Sequence, residues 1–299
     1  MKEVVRAVEE AFRQEGGGNA SNSVRTRSKA PSSVLNVMHS SLPYLRRSGL
    51  KAYMSSTGGV KFIIALFDDA TSSPVAIMGA DMIGRFRTGA AAAVATKYLY
   101  GRQSFELALF GSGKQAITQV LAIQAIASLE KVKVWSPNAV HRKKFVGLLQ
   151  REGFNASVHE SPDGAIEGAD VVSSITSSRR PFMTEKSLSS VSHLNISGSN
   201  DPERSEATTG AVQSFDTVVV DDLPQARVEY GDLIQAFIGG GFRWESALQL
   251  SDIVSGKRRP KGRTLFKSGG AALEDVAVAS LLYEKAMKSG KTYANVELV

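Results

Sequence analysis

The sequence predicts an α/β chain whose character changes near residue 100. Three observations carry this. Residues 33 to 78 read as strands joined by short turns, with "VKFIIALFDD" and "PVAIMG" separated only by the turn-like "ATSS". From residue 105 onward strands alternate with helical segments, the pattern of a parallel sheet covered by helices. At the start of that second region stands "LALFGSGKQAITQVLAIQ" (107 to 124), an apolar run, then Gly-x-Gly-x-x-Ala, then a helical apolar period.

Each element has a local reason. Residues 2 to 14 place Val4, Val5, Val8 and Phe12 on one helical face. "GGGNASNS" (16 to 23) reads as a loop, and "SVLNVM" and "LKAYMSS" as strands. "RTGAAAAVATKYLYG" (87 to 101) is an Ala-rich helix closed by Gly101. Beyond it, "FELALF" (105 to 110) reads as a buried strand, 114 to 129 as a helix, "KVKVWS" as a strand and 139 to 152 as a helix. "ASVHES" is expected as a strand, "PDGAIEGAD" carries a short helix, and "VVSSIT", "HLNISGS" and "DTVVVDD" are further strands. Residues 244 to 256 and 270 to 288 are expected as helices.

Composition narrows the chemistry. The chain has 299 residues, no cysteine and four histidines, none at i, i+4 spacing; disulfides and thiolate chemistry are excluded, and no metal site is expected. No apolar run is long enough for a membrane span, and "MKEVVRAVEEAFRQEGG" lacks the apolar core of a signal peptide, so a cytoplasmic location and no membrane partner are expected. The formal charge is +7, but the one dense basic run is "GKRRPKGR" (256 to 263), which reads as a solvated loop, and no nucleic-acid partner is expected. A modest positive field suits anionic small ligands.

The glycine motif follows a strand and opens a helix, as a dinucleotide-binding Rossmann unit requires. Gly111 makes the tight turn, Gly113 lets the backbone approach a pyrophosphate, and Ala116 is small enough for helix-strand packing. Ser112, Lys114 and Gln115 complete the loop. An acidic residue at the end of the next strand holds the ribose of NAD. Here "VKVW" is followed by Ser136, Pro137 and Asn138, then by His141, Arg142 and Lys143. Without a carboxylate to repel a 2′-phosphate, this composition favours NADP over NAD. The other reading of these residues is an N-cap and a solvated helix face.

Five stretches, "GLKAYMSS" (49 to 56), "GRFRTGAAAAVATKYL" (84 to 99), "GSGKQA" (111 to 116), "HLNISGSNDPERSE" (193 to 206) and "TLFKSGGAALEDVAVA" (264 to 279), together resemble the ornithine cyclodeaminase/mu-crystallin family over nearly the whole chain. The resemblance implies a Rossmann dinucleotide-binding domain over 101 to 269. It also implies a second α+β domain for substrate binding and dimerisation, formed by 1 to 100 and the returning C-terminal helix within 270 to 299. A homodimer is implied as well. So is hydride transfer between a nicotinamide (NADP or NAD) and the C–N carbon of a small amino or imino acid.

By the same resemblance Arg25, Lys51 and Arg87 match the substrate-side cations, with Arg87 also beside the cofactor. Lys267 and Ser268 match positions near the nicotinamide, and Thr176 joins the cofactor-side residues. Such a site needs a cationic clamp for a carboxylate and a group that moves a proton at nitrogen. The catalytic candidates are therefore Lys51, Arg87 and Asn200. The chain departs from the cyclodeaminase pattern at three places: Asn200 stands where an aspartate is usual, Asn36 where a glutamate is usual, and His39 where a proline is usual. Those absent carboxylates favour simple redox chemistry. Two alternatives stay open: a cyclodeaminase-type lyase that returns its cofactor unchanged, and a mu-crystallin-like protein that holds cofactor and ligand. His39 is a candidate substitute acid, with a structural role as its alternative.

Overall fold

Helix α1 (Lys2–Gly16) buries Val5, Val8 and Phe12 on the face that their spacing dictates. The structure, a computed structural model, describes residues 1 to 290. After α1 the chain builds an antiparallel sheet from β1 (Ser21–Asn22), β2 (Thr26–Ala30), β3 (Ser33–Leu42), β4 (Arg47–Ser56), β5 (Gly59–Asp68) and β6 (Pro74–Gly79). The order is β1-β3-β4-β5-β6, with β2 paired to β3. Strand alternation gives this sheet two unlike faces. Met38, Lys51 and Ile64 form one cross-strand row and are all buried. The opposite face carries Leu35, Met54, Ile63 and Ile77, all exposed.

Helix α2 (Asp81–Leu99) is buried along Ala90 to Ala95. Glycine allows its close crossing of the next helix, because a Cβ at Gly89 would lie 2.3 Å from the Thr118 carbonyl oxygen. The chain then alternates through β7 (Ser104–Phe110), α3 (Ala116–Gln124), β8 (Ser128–Trp135), α4 (Ala139–Arg151), β9 (Ala156–Val158), α5 (Pro162–Ile166), β10 (Val171–Ser174) and β11 (His193–Ile196). It continues through α6 (Thr209–Gln213), β12 (Thr217–Val220), α7 (Leu223–Glu229), α8 (Gly231–Ile238), β13 (Leu248–Gln249), α9 (Leu250–Val254), β14 (Thr264–Lys267) and α10 (Ala272–Lys288). All pairs in the second sheet are parallel, in the order β13-β12-β14-β11-β10-β7-β8-β9. The order reverses between β7 and β10, the switch point where open α/β sheets bind ligands at their carboxyl ends. Helix α10 leaves this sheet and packs on β3, β4, β5, α1 and α2.

The antiparallel and parallel regions follow the sequence pattern, and several elements differ from it. Residues 244 to 256 are a 3-10 turn, β13 and α9 rather than one helix. Leu248 and Gln249 instead extend the sheet beside Val219 and Val220. Helix α3 ends at Gln124, because Ser128 already pairs with Ser104 at the start of β8. The "TLFK" segment is a fully buried strand between β11 and β12, and α6, α7 and α8 were not anticipated. No helix among the described residues is long and apolar enough to cross a membrane.

A buried polar chain ties α2 to the parallel sheet. The Asn195 amide donates to Thr96 Oγ1 (2.9 Å), which donates to the Ala92 carbonyl (2.8 Å). His193 lies 3.1 Å from Asn195 Oδ1 and 2.8 Å from Thr264 Oγ1. Asn195 Oδ1 can only accept, so Nε2 carries the proton and Nδ1 accepts from Thr264. Burial pushes His193 down to about 4 from 6.5. The unfolded chain therefore binds a proton that the fold refuses, so this stability is present above pH 6.5 and lost as pH falls toward 4. The loss amounts to ~3 kcal/mol. Urea titrations from pH 7 to 4 should show that extra loss in the parent protein and not in His193→Asn; parallel profiles would contradict it.

Candidate active site

A cleft of ≈ 960 Å³ opens where the loops after β7, β11 and β14 meet the inner face of the antiparallel sheet and the start of α2. On the parallel-sheet side, Gly111 has φ +108° and its amide donates to the Trp135 carbonyl (2.9 Å). A Cβ there would sit 2.6 Å from the Ile175 carbonyl oxygen, so the turn requires glycine both for its angle and for room. A Cβ at Gly113 would meet nothing within 4 Å, so this residue opens outward. Lys114 and Gln115 line the cleft, and buried Ala116 begins α3. An open glycine backbone at a helix start fits a pyrophosphate.

The residues expected at the ribose end have internal partners as well. Ser112 Oγ donates to Ser136 Oγ (2.9 Å). Asn138 Oδ1 accepts from the His141 amide (2.9 Å) and so caps α4, one of the two roles that its position allowed. Arg142 is buried; Nη1 donates to the Ser136 carbonyl (2.7 Å) and Nη2 to Glu160. Thr176 donates through its amide (3.0 Å) and hydroxyl (2.6 Å) to Glu206 Oε1, which fixes the loop after β10.

On the other wall, buried cations meet the carboxylates that open α10. Lys51 Nζ donates to Asp275 Oδ1 (2.8 Å). Arg87 Nη1 donates to Glu274 Oε2 (2.9 Å), and its Nε lies 3.3 Å from Asp275 Oδ1. Gly84 lies close against the Lys51 ammonium, since a Cβ there would lie 3.3 Å from Nζ. Burial, aided by Arg87, lowers Lys51 to about 8 against the pull of Asp275. Burial raises Glu274 to about 7 against the pull of Arg87. Burial would raise Asp275 too, but Arg87 and Lys51 hold it below the usual carboxylate range.

Arg25 Nη1 donates to Glu229, and its Nη2 donates to the Gly269 and Gly270 carbonyls (both 3.1 Å). The amides of the same turn are held by Asp221, which accepts from Gly269 N (3.1 Å), Gly270 N (2.7 Å) and Ser268 Oγ (2.8 Å). The turn cannot carry a side chain at Gly270, where a Cβ would lie 2.1 Å from Arg87 Nη1. Arg25, Lys51, Arg87, Asn200 and Ser268 thus line one cleft.

One expectation needs correction. His39 lies one residue from Met38 on β3 and so faces away from Lys51; it pairs across the strands with Leu50 on the exposed face. It cannot act as the substitute acid in this cleft. Lys267 is fully buried beneath the cleft, where Nζ donates to the Ser199 carbonyl (2.9 Å) and lies 2.9 Å from Asp232 Oδ2. The carboxylates Asp221, Glu229, Glu274 and Asp275 were missed. The signal available was a Glu-Asp pair inside the otherwise apolar "GAALEDVAVAS".

Removing one member of a buried pair strands its partner, which typically costs about 3–5 kcal/mol. Arg87→Met should lose stability on that scale in urea denaturation, because it strands Glu274 and part of Asp275. A loss below ~1 kcal/mol, the scale of an exposed pair, would mean that the network is solvated.

The sequence matches the ornithine cyclodeaminase/mu-crystallin family profile over residues 1–290. A Delta(1)-pyrroline-2-carboxylate reductase of Bacillus thuringiensis subsp. konkukian is 33% identical over 234 residues, 76% of this chain and 72% of that protein. The solved structure of Thermococcus litoralis Delta(1)-pyrroline-2-carboxylate reductase in complex with NADH and L-proline is 31% identical; it superposes with a TM-score of 0.91 over 99% of this chain and 96% of that one. An archaeal alanine dehydrogenase dimer with bound NAD is 29% identical, with a TM-score of 0.88 over 97% and 93% of the two chains. The chain therefore belongs to the ornithine cyclodeaminase/mu-crystallin family.

Proposed function

We propose that the protein is an NAD(P)-dependent oxidoreductase acting at the C–N carbon of a small amino or imino acid. The observation that carries this reading is the geometry of one cleft: the buried ammonium of Lys51, lowered by burial to about 8, stands beside the guanidinium of Arg87, and Lys114 and Gln115 of the glycine loop line the same cleft. Gly111 to Ala116 would hold the pyrophosphate of a dinucleotide whose nicotinamide, when bound, would supply or accept the hydride. Arg87 and Arg25 stay charged and orient the substrate carboxylate by charge-assisted hydrogen bonds. Lys51 is the group that can change protonation. It gives a proton to the nitrogen as an imine becomes an amine, and takes it back in the other direction. Asn200 has no proton to exchange and acts by hydrogen bonds to the nitrogen or to a water. Ser268 closes the floor of the site. The kinship with pyrroline-2-carboxylate reductases and alanine dehydrogenase supports the reaction class.

NADP is the favoured cofactor in this reading. The support is the absence of a carboxylate at the end of β8 and the presence there of Ser136 and Arg142, although Arg142 is shared with Glu160. The protein is further read as a homodimer that covers the apolar outer face of the antiparallel sheet, where Ile77 is 65% exposed and Ile63 49%. An exposed apolar face of that kind is typical of an interface.

The decisive assay follows absorbance of the nicotinamide. Net oxidation of NADPH with an imine is expected, together with tighter binding of NADPH than NADH in fluorescence titration. Lys51→Met should abolish turnover and retain nucleotide binding. Cyclisation of ornithine with no net nicotinamide change would overturn the redox assignment, and equal or reversed nucleotide affinities would overturn the NADP preference.

A further inference from the structure

The inner face of the antiparallel sheet carries cations beyond those that clamp one carboxylate. Register aligns three rows on that face: Met38 with Lys51; Arg27 with Asn36 and Tyr53; and Lys29 with Val34 and Ser55. Each two-residue step along a strand advances the side chains by about 7 Å. Arg27 thus stands one step beyond Lys51, and Lys29 two steps, along one wall of the cleft.

The charges are unevenly matched along this wall. Lys51 and Arg87 face two carboxylates, Asp275 and Glu274. Arg25 and Arg27 share a single carboxylate, Glu229. Arg27 Nε donates to Asn36 Oδ1 (3.1 Å) and Nη2 reaches the Asn200 carbonyl (3.4 Å), while Nη1 has no partner among the described residues. Its side chain keeps 30% exposure, at the cleft. Lys29 is exposed and has no charged partner among the described residues. Of the acids that line the cleft, Asp81 pairs with Arg85 and Asp201 lies 3.4 Å from Arg204, which leaves exposed Glu203 at the rim. The surplus is therefore positive; apart from Lys114 on the glycine-loop side, it lies on the sheet wall beyond the row of Lys51.

We propose that the substrate is an amino dicarboxylate or its imine, with the second carboxylate received by Arg27 and Lys29. This rests on reading the cleft as the hydride-transfer site, and it adds the chemistry of the substrate's far end. Arg27, pre-positioned by Asn36 and Glu229, offers its unpartnered Nη1 to a carboxylate. Lys29 adds a point charge at the outer end.

The test uses two readouts on the full-length protein. In the first, NADPH oxidation is followed with ammonium plus oxaloacetate or 2-oxoglutarate, and compared with ammonium plus pyruvate and with Delta(1)-pyrroline-2-carboxylate. In the second, calorimetry compares succinate with butyrate on the nucleotide-loaded protein. The dicarboxylic compounds should lead in both, by about tenfold or more, as a charge-assisted contact warrants. Arg27→Gln and Lys29→Met should each erase that lead, and Lys29→Met should also leave the monocarboxylic values within about twofold, because an exposed charge without a contact contributes little. Equal affinity for succinate and butyrate, or variants that weaken both alike, would overturn the second-carboxylate site. Tighter succinate binding with no turnover of any imine would uphold that site and overturn the hydride-transfer reading instead.

Discussion

The structure depends on the contact between the first turn of α10 and two cations from distant parts of the chain. Glu274 and Asp275 stand at the amino end of a helix, where negative charge is favoured by the exposed amides. They meet Lys51 from the antiparallel sheet and Arg87 from α2. Burying such charges is costly unless each finds a partner, so the three elements must come together for any of them to be buried. The last helix is thereby drawn back across the chain, and the cleft takes its shape from the same contact.

The network also divides labour between its cations. A guanidinium keeps its charge in any protein environment, whereas a buried ammonium can lose its proton. Arg87 therefore serves as a fixed charge, and Lys51, lowered to about 8 mainly by burial, can act as a proton donor or acceptor. Behind them, Asp221 and Arg25 grip the 268–270 turn from its amide and carbonyl sides. That double grip explains why two glycines stand in the turn: a Cβ at Gly269 would strike Tyr230, and one at Gly270 would strike Arg87.

Much of this was legible in the residues. The strand, glycine turn and helix at 107 to 124 could be read locally, since turn angle, close approach and apolar period are all properties of neighbours in sequence. Lys51 was legible through the family resemblance of "GLKAYMSS". The carboxylates were not, because an acidic residue in a helix usually marks a solvated face, and only the tertiary fold shows Glu229, Glu274 and Asp275 to be buried. Arg142 and Lys267 illustrate the same limit from the cationic side. Arg142 was suggested by its residue type and Lys267 by the family resemblance, whereas their observed contacts are with Ser136 and Glu160, and with Ser199 and Asp232. The segment 244 to 256 was misjudged because its apolar spacing suits a helix, and only pairing with β12 draws Leu248 and Gln249 into a strand.

The central claim is that burial tunes Lys51 for proton transfer while Asp275 keeps it paired. Titrating the Lys51 ammonium directly tests it, by NMR of protein carrying ¹³C-methylated lysines, with the Lys51 signal identified by its loss in Lys51→Met. The account predicts a midpoint near 8 that falls further in Asp275→Asn, where the carboxylate no longer supports the charge. A midpoint at the ordinary lysine value of 10.5, unmoved by that substitution, would contradict it.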